Sequence, residues 1–588
     1  MTSINLINSP QELKKMNPAD LNLLAANYRR FLIESISKTG GHIGANLGVI
    51  ELTLAIHYVF DSPRDPIIFD TGHQGYTHKL LTGRQGLFTT LNSYGGLNRF
   101  LARQESEHDI IDASHAGTSL ALATGMAWSL HKENSNRHVV AVIGDGSLVE
   151  GMASEGLNFA AGKKLKLIIV LNDNGMAIAP NIGGIKNLTG TPDWLLRSKA
   201  FFEGLGLEYI PVEDGHNINQ LLTAFKKAKE LQETVLVHVK TEKGRGLPCA
   251  KDHPYKMHFS MPFDPQTGLG SSATVTGKTY ATVAAEVLTE AIKKDKDLFV
   301  ITPATPYASG LDNLLRDYPE QVFDVGMAEQ HAVGMACGLA LEGRKAVVCM
   351  QTTFMQRAFD QILHDVCYMN LPVTILGVRA GFAGYDSPTH HGLYDLPYMR
   401  SFPNMQLIYP ASSHDMRSIL YARMQKPVGP MVILHPYEPI VDPEVVLDPT
   451  AQKGIYSLAE GGHGMILTLG NCINEALKLR KMLKDEHKFD FGLACVTHLK
   501  PLPLDHLLPL LKAAPRIVTI EESTLPGGFG SLICETLNDH RIAASVLRTG
   551  VADRFVPPGT KEECSLECGI DANTLLRRVL SFWPELKK

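Results

Sequence analysis

Short apolar runs rich in valine and isoleucine alternate with helix-length amphipathic stretches along most of the chain. Residues 139–143 and 167–171 are two such runs, and their length and composition predict strands buried in a parallel sheet. The stretch between them, near 153–161, is predicted to be the crossover helix that joins them. Regular alternation of this kind is typical of an α/β fold built on doubly wound parallel sheets.

The alternation forms three α/β units of similar size, which predicts domains at 1–265, 275–435 and 450–588. Stretches rich in proline, glycine and small polar residues separate the units at 259–277 and 436–449, and such stretches are typical of linkers. Further strands are predicted near 298–301, 346–350, 373–378, 465–469, 492–496 and 517–521.

Capping residues and glycines locate several helices. The first helix is predicted over 21–39, with Asp20 as its N-cap and Gly40-Gly41 at its end. A helix is also predicted across 327–341 in the second unit. In the third unit one helix follows Gly527-Gly528-Phe529-Gly530, and another ends the chain.

Composition narrows the possible function classes. The 588 residues are 44% hydrophobic and 20% charged, with a net charge of −5, so the chain lacks the basic field expected for binding nucleic acid or an acidic membrane. No apolar run reaches the roughly 20 residues of a membrane helix, and residues 1–15 lack the pattern of a secretory signal. We therefore expect a cytoplasmic protein that acts on small molecules, with its nine scattered cysteines reduced.

Polar residues follow the two strands described first, at the point where each strand ends. Gly144-Asp145-Gly146 follows the first strand and Asn172-Asp173-Asn174 the second. Because the carboxyl ends of parallel strands form the ligand-binding edge of such a sheet, Asp145 and Asn174 are expected to lie side by side. One carboxylate and one amide oxygen suit a hard cation such as Mg²⁺. Either string alone would more often be a surface turn.

Four further strings accompany these two: Gly40-Gly41-His42, Gly72-His73-Gln74, Ala328-Glu329-Gln330-His331-Ala332 and Thr389-His390-His391-Gly392. Together the six resemble the 1-deoxy-D-xylulose-5-phosphate synthases, a family of the thiamine diphosphate-dependent transketolase superfamily. The resemblance runs from about residue 21 to the C-terminus. It implies three doubly wound α/β domains of the transketolase type (diphosphate-binding, pyrimidine-binding and C-terminal) and a homodimer.

The resemblance implies two cofactors, thiamine diphosphate and Mg²⁺. Asp145 and Asn174 would bind Mg²⁺ through their side chains, and Met176 through its carbonyl. The residues implied to contact thiamine diphosphate are His73, His115, Gly144, Gly146, Ser147, Asn174, Met176, His258, Glu329 and Phe354. Glu329 is implied to activate the aminopyrimidine from an apolar pocket, where burial raises the pKa of a carboxyl, and Phe354 to stack on the ring.

The implied reaction takes pyruvate as donor and glyceraldehyde 3-phosphate as acceptor, and it releases CO₂. His42 and His390 are implied to face the reacting carbon, and with Glu329 they are the implied catalytic residues. Arg379 would hold the acceptor's phosphate, and Asp386 would bind its hydroxyl groups. The implied substrate site therefore consists of His42, Arg379, Asp386 and His390.

Three departures from the family pattern concern the acceptor. Tyr437, in Leu434-His435-Pro436-Tyr437-Glu438, stands where the family has a phosphate-binding arginine, and Gln351 stands where it has a tyrosine. A tyrosine offers one hydroxyl, whereas an arginine offers a permanently charged, bidentate clamp. The segment 181–202 is also much shorter than the family's long insertion. These departures favour a second hypothesis beside the first: the same donor chemistry with a different aldehyde.

Two more distant hypotheses complete the set. One is a transketolase or the decarboxylating component of a 2-oxoacid dehydrogenase, against which the histidine strings favour the synthase. The other is a catalytically silent homologue with a structural or regulatory role. Retention of Asp145, Asn174 and Glu329 argues against that role.

Overall fold

The computed structural model describes residues 6–253, 255–270, 278–437, 439–440 and 454–587. The predicted linkers fall partly outside these ranges, at 271–277, 438 and 441–449. Within the described ranges, no helix has both the length and the apolar character needed to cross a membrane.

The described residues form two compact units. The first lies within 1–274 together with 326–328, and the second within 275–325 and 329–588. The first unit contains one five-stranded sheet, and the second contains a seven-stranded and a five-stranded sheet.

The strands of these sheets are β1 (Ile67–Phe69), β2 (Val139–Gly144), β3 (Leu167–Asp173), β4 (Glu208–Val212), β5 (Val235–Lys240), β6 (Leu298–Thr302), β7 (Val322–Asp324), β8 (Lys345–Gln351), β9 (Thr374–Val378), β10 (Gln406–Ile408), β11 (Met431–His435), β12 (Ile455–Ala459), β13 (Gly464–Leu469), β14 (Phe491–Val496), β15 (His498–Lys500), β16 (Arg516–Thr524) and β17 (Ser545–Val551). Every predicted strand overlaps an observed one, and the largest difference at an end is at β16, which was predicted to end at 521 and ends at Thr524.

The helices of the first unit are α1 (Pro10–Leu13), α2 (Pro18–Thr39), α3 (Ile43–Leu47), α4 (Ile50–Val59), α5 (Tyr76–Leu81), α6 (Ser119–Lys132), α7 (Gly151–Ala161), α8 (Lys186–Thr189), α9 (Trp194–Gly204), α10 (Ile218–Glu230) and α11 (Pro248–Lys251). Those of the second unit are α12 (Tyr280–Ile292), α13 (Asp312–Asp317), α14 (Glu329–Leu341), α15 (Thr352–Met355), α16 (Asp395–Ser401), α17 (Ser413–Gln425), α18 (Ile473–His487), α19 (Leu504–Ala513), α20 (Phe529–Asp539), α21 (Lys561–Cys568) and α22 (Ala572–Phe582). Short 3-10 segments occur at Gln85–Thr90, Asp145–Val149, Gln356–Ala358, Gly470–Cys472 and Pro584–Lys587, and a π-helix at Gln361–Tyr368.

The first sheet has the strand order β1-β2-β3-β5-β4, and its strands are parallel. Side chains of β2 alternate between two cores. Val140 and Val142 pack with residues of α2, α4 and α10, whereas Val139 and Ile143 pack with residues of α6 and α7. Helices therefore cover both faces of the sheet, which is why its strands are continuous apolar runs. The predicted doubly wound α/β class is confirmed.

The second unit contains the order β15-β10-β11-β9-β8-β6-β7 and the order β12-β14-β13-β16-β17. Each of these sheets is parallel except for one antiparallel edge strand, β15 against β10 and β12 against β14. The strand β15 comes from the predicted third domain but completes the sheet of the predicted second domain. This shared strand helps to explain why the predicted second and third domains form one compact unit.

The predicted start of the first long helix is wrong. The helix α2 begins at Pro18, with Asn17 as its N-cap, and Asp20 lies inside the first turn. Proline is favoured at the first helical position because its missing N–H is not needed there, so the helix starts before the predicted cap. Its predicted end is confirmed, since the Gly40 N–H bonds to the Ile36 carbonyl at 2.8 Å.

Candidate active site

The predicted site residues fall into two groups, one in each compact unit. The first unit holds His42, His73, His115, Gly144, Asp145, Gly146, Ser147, Asn174, Met176 and His258, and the second holds Glu329, Phe354, Arg379, Asp386 and His390. Many of them lie on loops that follow the carboxyl ends of parallel strands, where α/β sheets bind their ligands.

Asp145 begins the 3-10 segment directly after β2 and is fully buried. Its Oδ2 accepts hydrogen bonds from the Gly175 backbone N–H and the Asn181 side chain, both at 2.7 Å. Its Oδ1 has no hydrogen-bond partner among the described residues. Burial and the nearby Asp173 carboxylate raise the pKa of Asp145. A buried carboxylate oxygen without a partner is costly, so Oδ1 marks a place for a cation.

Asn174 and Met176 lie on the loop after β3. Because Gly144 is paired with Asn172 across the sheet, this loop lies beside Asp145, as predicted. The Asn174 Oδ1 accepts the Met176 N–H at 3.1 Å. The described ranges hold no group of three His, Cys, Asp or Glu residues suited to a metal. Mg²⁺ needs few protein ligands and takes phosphate and water as the others, so this donor set fits it.

The two glycines beside Asp145 differ in their surroundings. A Cβ on Gly146 would lie 2.6 Å from the Ala177 Cβ, so the loop after β3 packs directly against it. A Cβ on Gly144 would approach the Gln74 side chain at 3.6 Å, an ordinary contact. A larger residue at position 146 would therefore clash with Ala177, whereas position 144 has room for a side chain. Ser147 is buried in the same 3-10 segment.

His42, His73 and His258 come together from three separate loops. Their ring centroids are 5.5 Å apart for His42 and His73, 5.5 Å for His42 and His258, and 5.0 Å for His73 and His258. Burial lowers the pKa of His73 and of His258, and the Lys243 ammonium lowers both further. These two rings are therefore neutral at neutral pH, and each can donate one hydrogen bond and accept another.

His115 lies on the loop that precedes α6. Asp70, directly after β1, holds this loop by accepting hydrogen bonds from the backbone N–H groups of Gly117 at 3.0 Å and Ser119 at 3.1 Å. Gly117 has a φ of +82°, a conformation that glycine adopts without strain. His115 is therefore fixed near the carboxyl end of β1, the neighbour of β2 in the sheet.

In the second unit, Glu329 is the first residue of α14 and is only 4% exposed. Its Oε2 has no hydrogen-bond partner in the described part of the chain. Burial raises the pKa of this carboxyl, and Arg357 opposes the rise. A buried carboxyl with a raised pKa and an unused oxygen can hold a proton and donate it to a ligand.

Phe354 and His390 lie against each other, with ring centroids 5.6 Å apart in an edge-to-face arrangement. The Nδ1 of His390 lies 2.9 Å from the Ser387 hydroxyl. The Thr353 hydroxyl donates to the Thr389 carbonyl at 2.6 Å, which ties α15 to the loop that carries His390. The two predicted residues therefore share one fixed neighbourhood.

Arg379 follows β9 with a φ of +69°, a conformation that residues other than glycine rarely adopt. Its Nη1 donates to Asp386 at 2.7 Å and to the side-chain Oε1 of Gln351 at 3.1 Å. Its Nη2 donates to the Ala383 carbonyl at 3.2 Å, and the guanidinium lies 4.3 Å from the Tyr437 ring centroid. The two predicted acceptor residues thus lie together with both positions that depart from the family pattern.

The loop 379–392 is held by the C-terminal part of the second unit. The Phe382 N–H donates to the Glu522 carboxylate at 3.3 Å. The Tyr385 hydroxyl donates to the Glu563 carboxylate at the start of α21. The position of this loop therefore depends on contacts made far along the chain.

Comparison with known proteins decides the family. Family models match the chain in three stretches: the 1-deoxy-D-xylulose-5-phosphate synthase model at 4–193 and 191–241, the transketolase pyrimidine-binding domain at 276–438 and the transketolase C-terminal domain at 456–575. A 1-deoxy-D-xylulose-5-phosphate synthase from Halothermothrix orenii is 36% identical over 98% of this chain and 97% of its own length. The chain belongs to the 1-deoxy-D-xylulose-5-phosphate synthase family.

A second relative and a solved structure are also similar to the chain. The 1-deoxy-D-xylulose-5-phosphate synthase 1 of Geobacter metallireducens is 38% identical over 99% of this chain and 100% of its own length. Among solved structures, a transketolase from Campylobacter jejuni is 16% identical, covers 96% of this chain and 100% of its own, and has a TM-score of 0.44.

One residue of this synthase-family chain that motif reasoning missed is Lys243. It is 7% exposed, and its Nζ donates to the Ala177 carbonyl at 2.7 Å, in the loop that carries Asn174. Burial lowers its pKa to about 7, and Asp145 opposes this effect. Lys243 follows β5, a neighbour of β3, so the rule that ligands bind at strand ends was the signal that could have found it.

A second missed residue is Asn46, which joins two of the histidine loops. Its Nδ2 donates to the carbonyls of His42 and His73, both at 2.7 Å, and its Oδ1 accepts the Tyr76 N–H at 2.8 Å. The side chain is completely buried. Sequence alone offers no signal for it, because an asparagine in a short helix has many possible partners.

We expect Asn46→Ala to lower kcat by about 100-fold, since both histidine loops lose their shared donor and small misplacements are costly. Turnover of the folded holoenzyme at saturating substrate measures this. The control is Thr53→Ala, which removes another buried hydrogen bond of the same unit, to the Val49 carbonyl at 2.7 Å. Both variants should melt at lower temperature, but only Asn46→Ala should lose kcat. Equal kcat in the two variants would show that Asn46 has a merely structural role.

Proposed function

We propose that the chain is a thiamine diphosphate- and Mg²⁺-dependent transferase that decarboxylates pyruvate and joins the remaining two-carbon unit to glyceraldehyde 3-phosphate. The products are 1-deoxy-D-xylulose 5-phosphate and CO₂. Membership of the synthase family supports the reaction. One observation carries the proposal. Asp145 and Glu329 each have a buried carboxyl oxygen without a hydrogen-bond partner among the described residues, and a bound ligand would satisfy each of them.

The first unit supplies residues for the metal and the diphosphate. Asp145 and Asn174 would hold Mg²⁺ through their side chains, and Met176 through its carbonyl. Residues proposed to contact the diphosphate and thiazolium portions are His73, His115, Gly144, Gly146, Ser147 and His258. When bound, thiamine diphosphate supplies a carbon nucleophile that the twenty amino acids lack.

The second unit supplies residues for the aminopyrimidine. Glu329 would keep a proton on its carboxyl, as its raised pKa allows, and share it with a ring nitrogen. Phe354 would offer its ring as a stacking surface. The neighbouring His390 would orient the substrate. Arg379 would bind the acceptor with Asp386.

The proposal also includes the domain limits, the oligomeric state and the cellular location of the protein. The domain limits 1–265, 275–435 and 450–588 are supported by the three sheets, each of which takes its strands from one of these ranges except for β15. A homodimer is supported by large apolar side chains that are exposed on α6 and α7: Leu122 (42%), Met152 (40%) and Phe159 (45%). Free cysteines suit the cytoplasm, which we propose as the location.

Removal and return of the cofactors test the proposed function. Protein freed of thiamine diphosphate and Mg²⁺ should regain CO₂ release from pyruvate, with glyceraldehyde 3-phosphate present, only when both return, since Asp145 can reach the diphosphate only through a metal. Product analysis should find 1-deoxy-D-xylulose 5-phosphate. Full activity after exhaustive chelation would contradict the metal assignment, and no CO₂ release with both cofactors would contradict the function.

A further inference from the structure

The group of side chains around Arg379 has features that suit an uncharged acceptor. We call Tyr307, Gln351, Arg379, Asp386 and Tyr437 the Arg379 cluster. Three N–H groups of the guanidinium already donate, to Asp386, Gln351 and the Ala383 carbonyl. The Nε–H of Arg379 is buried without a partner among the described residues. The cation therefore keeps only part of its donor capacity for a ligand.

The charge of Arg379 is already balanced. Its Nη1 lies 2.7 Å from the Asp386 carboxylate in an ion pair whose side chains are only 12% and 18% exposed. Arg379 and Asp386 are the two charged members of the cluster, one of each sign. The cluster as a whole therefore has no net charge.

The backbone holds the guanidinium in this paired position. Arg379 has a φ of +69°. Its carbonyl accepts the Thr352 hydroxyl at 3.2 Å, and the next residue, Ala380, donates its N–H to the His435 carbonyl at 3.0 Å. The Tyr437 ring covers one face of the guanidinium at 4.3 Å, in a cation–π contact. Rotation toward a ligand would break the ion pair and this stacking.

A phosphate ester and a hydroxyl-bearing group meet this cluster differently. A phosphate dianion would lose its hydration beside a cluster without net positive charge and close to the Asp386 carboxylate, which costs free energy. Hydroxyl groups can instead donate to Asp386 and exchange hydrogen bonds with Gln351 and with the Tyr307 hydroxyl, which interacts with Gln351. The arrangement suits a neutral, hydroxylated ligand.

We infer that the Arg379 cluster recognises the hydroxyl groups of the acceptor rather than a phosphate, so that short unphosphorylated hydroxyaldehydes are acceptors about as good as glyceraldehyde 3-phosphate. This inference rests on the proposed function. The reaction balances without a further reagent: the bond from the pyruvate carbonyl carbon to its carboxylate breaks, CO₂ leaves, a bond to the aldehyde carbon forms, and one proton from solvent ends on the aldehyde oxygen. With glyceraldehyde the product is 1-deoxyxylulose.

The test compares two acceptors with the holoenzyme at saturating pyruvate. CO₂ release gives kcat/KM for D-glyceraldehyde 3-phosphate and for D-glyceraldehyde, and we expect the two values to agree within about tenfold. A preference of 100-fold or more for the phosphorylated acceptor would overturn the inference while leaving the proposed function intact. Absence of CO₂ release with either aldehyde would instead contradict the proposed function.

Tyr437→Arg adds a positive charge to the cluster. We expect it to shift the kcat/KM ratio toward the phosphorylated acceptor by about tenfold or more, mainly through KM, since a charge-assisted hydrogen bond to phosphate is gained. Tyr437→Phe keeps the ring without adding charge and is the matched control, in which the ratio should not move toward phosphate. An unchanged ratio in Tyr437→Arg would count against the inference.

A second variant and a binding probe cover the case in which Tyr437→Arg does not fold. Asp386→Asn removes the compensating charge without changing the size of the side chain, so the ratio should also move toward the phosphorylated acceptor. Inorganic phosphate, competed against D-glyceraldehyde with both cofactors saturating, should inhibit wild type weakly and Asp386→Asn more strongly. Strong inhibition of wild type by phosphate, or no change in Asp386→Asn, would overturn the inference.

Discussion

Glu329→Ala is expected to lower kcat by about 10²- to 10⁴-fold while thiamine diphosphate still binds measurably. The Glu329 carboxyl is the proposed proton-holding group, whereas the proposed metal and diphosphate ligands lie in the other compact unit. Exchange of the C2 hydrogen of bound thiamine diphosphate with deuterated solvent, followed by NMR after acid quenching, should slow by a similar factor. Unchanged exchange would rule out this role for Glu329.

The control for this prediction is Glu342→Ala. Glu342 directly follows α14, is exposed, and has the same type of side chain as Glu329 at the opposite end of the helix. Its removal should leave turnover and exchange unchanged. Glu329→Gln keeps the shape of the side chain but cannot ionise, so it should be nearly as inactive as Glu329→Ala.

The raised pKa of Glu329 also has a consequence for stability. Between the ordinary glutamate pKa of 4.5 and the higher pKa of Glu329 in the folded protein, the folded state holds a proton that the unfolded state has lost, so ionisation lowers stability as pH rises through this window. Cofactor-free Glu329→Gln should therefore melt above wild type at neutral pH, and the difference should shrink as the pH falls through this window toward 4.5. An inactive but more stable variant would separate the role in function from the role in folding.

Asp145→Asn is expected to weaken Mg²⁺-dependent binding of thiamine diphosphate by about 100-fold or more and to abolish activity at Mg²⁺ concentrations that saturate wild type. An asparagine oxygen can still accept from the Gly175 N–H and the Asn181 side chain, so the loops should keep their positions. What is lost is the anionic charge at the unused Oδ1. Calorimetric titration with thiamine diphosphate at fixed Mg²⁺ measures the loss.

Asp193→Asn is the matched control for the metal prediction. Asp193 is exposed in the same unit and pairs with Arg197 at 2.7 Å on the surface of α9. Exposed pairs of this kind contribute little, so cofactor affinity should not change. Wild-type affinity in Asp145→Asn would show that the metal is held elsewhere.

Much of the fold could be predicted because its signals are local. The apolar runs that became β2 and β3 are continuous because both faces of their sheet are covered, and that composition is visible along the chain. Glycine at position 40 likewise ended α2 as expected. The start of α2 was misjudged because a capping aspartate and a proline at the first helical position compete as signals, and the proline was decisive.

That Asp145 and Asn174 lie close together could also be predicted from the sequence, since parallel strands place their carboxyl ends at one edge of the sheet. Glu329 was singled out by its resemblance to the activating glutamate motif, and the apolar residues on either side of it indicated that it is buried. In each case the relevant neighbours lie within one strand pair or one helix. Sequence therefore determined the α/β class, the place of Asp145 at a strand end and the buried glutamate.

The tertiary structure alone decided the contacts made between distant parts of the chain. Asn46 joins His42 to His73, the loop 379–392 is tied to Glu522 and Glu563, and β15 crosses to another sheet. The ion pair between Arg379 and Asp386 is another such contact. Its geometry depends on the left-handed backbone of Arg379 and on the ring of Tyr437, which follows β11. Hydrogen bonds and ion pairs act over a few ångströms, and no local pattern records which remote residues folding brings within that distance.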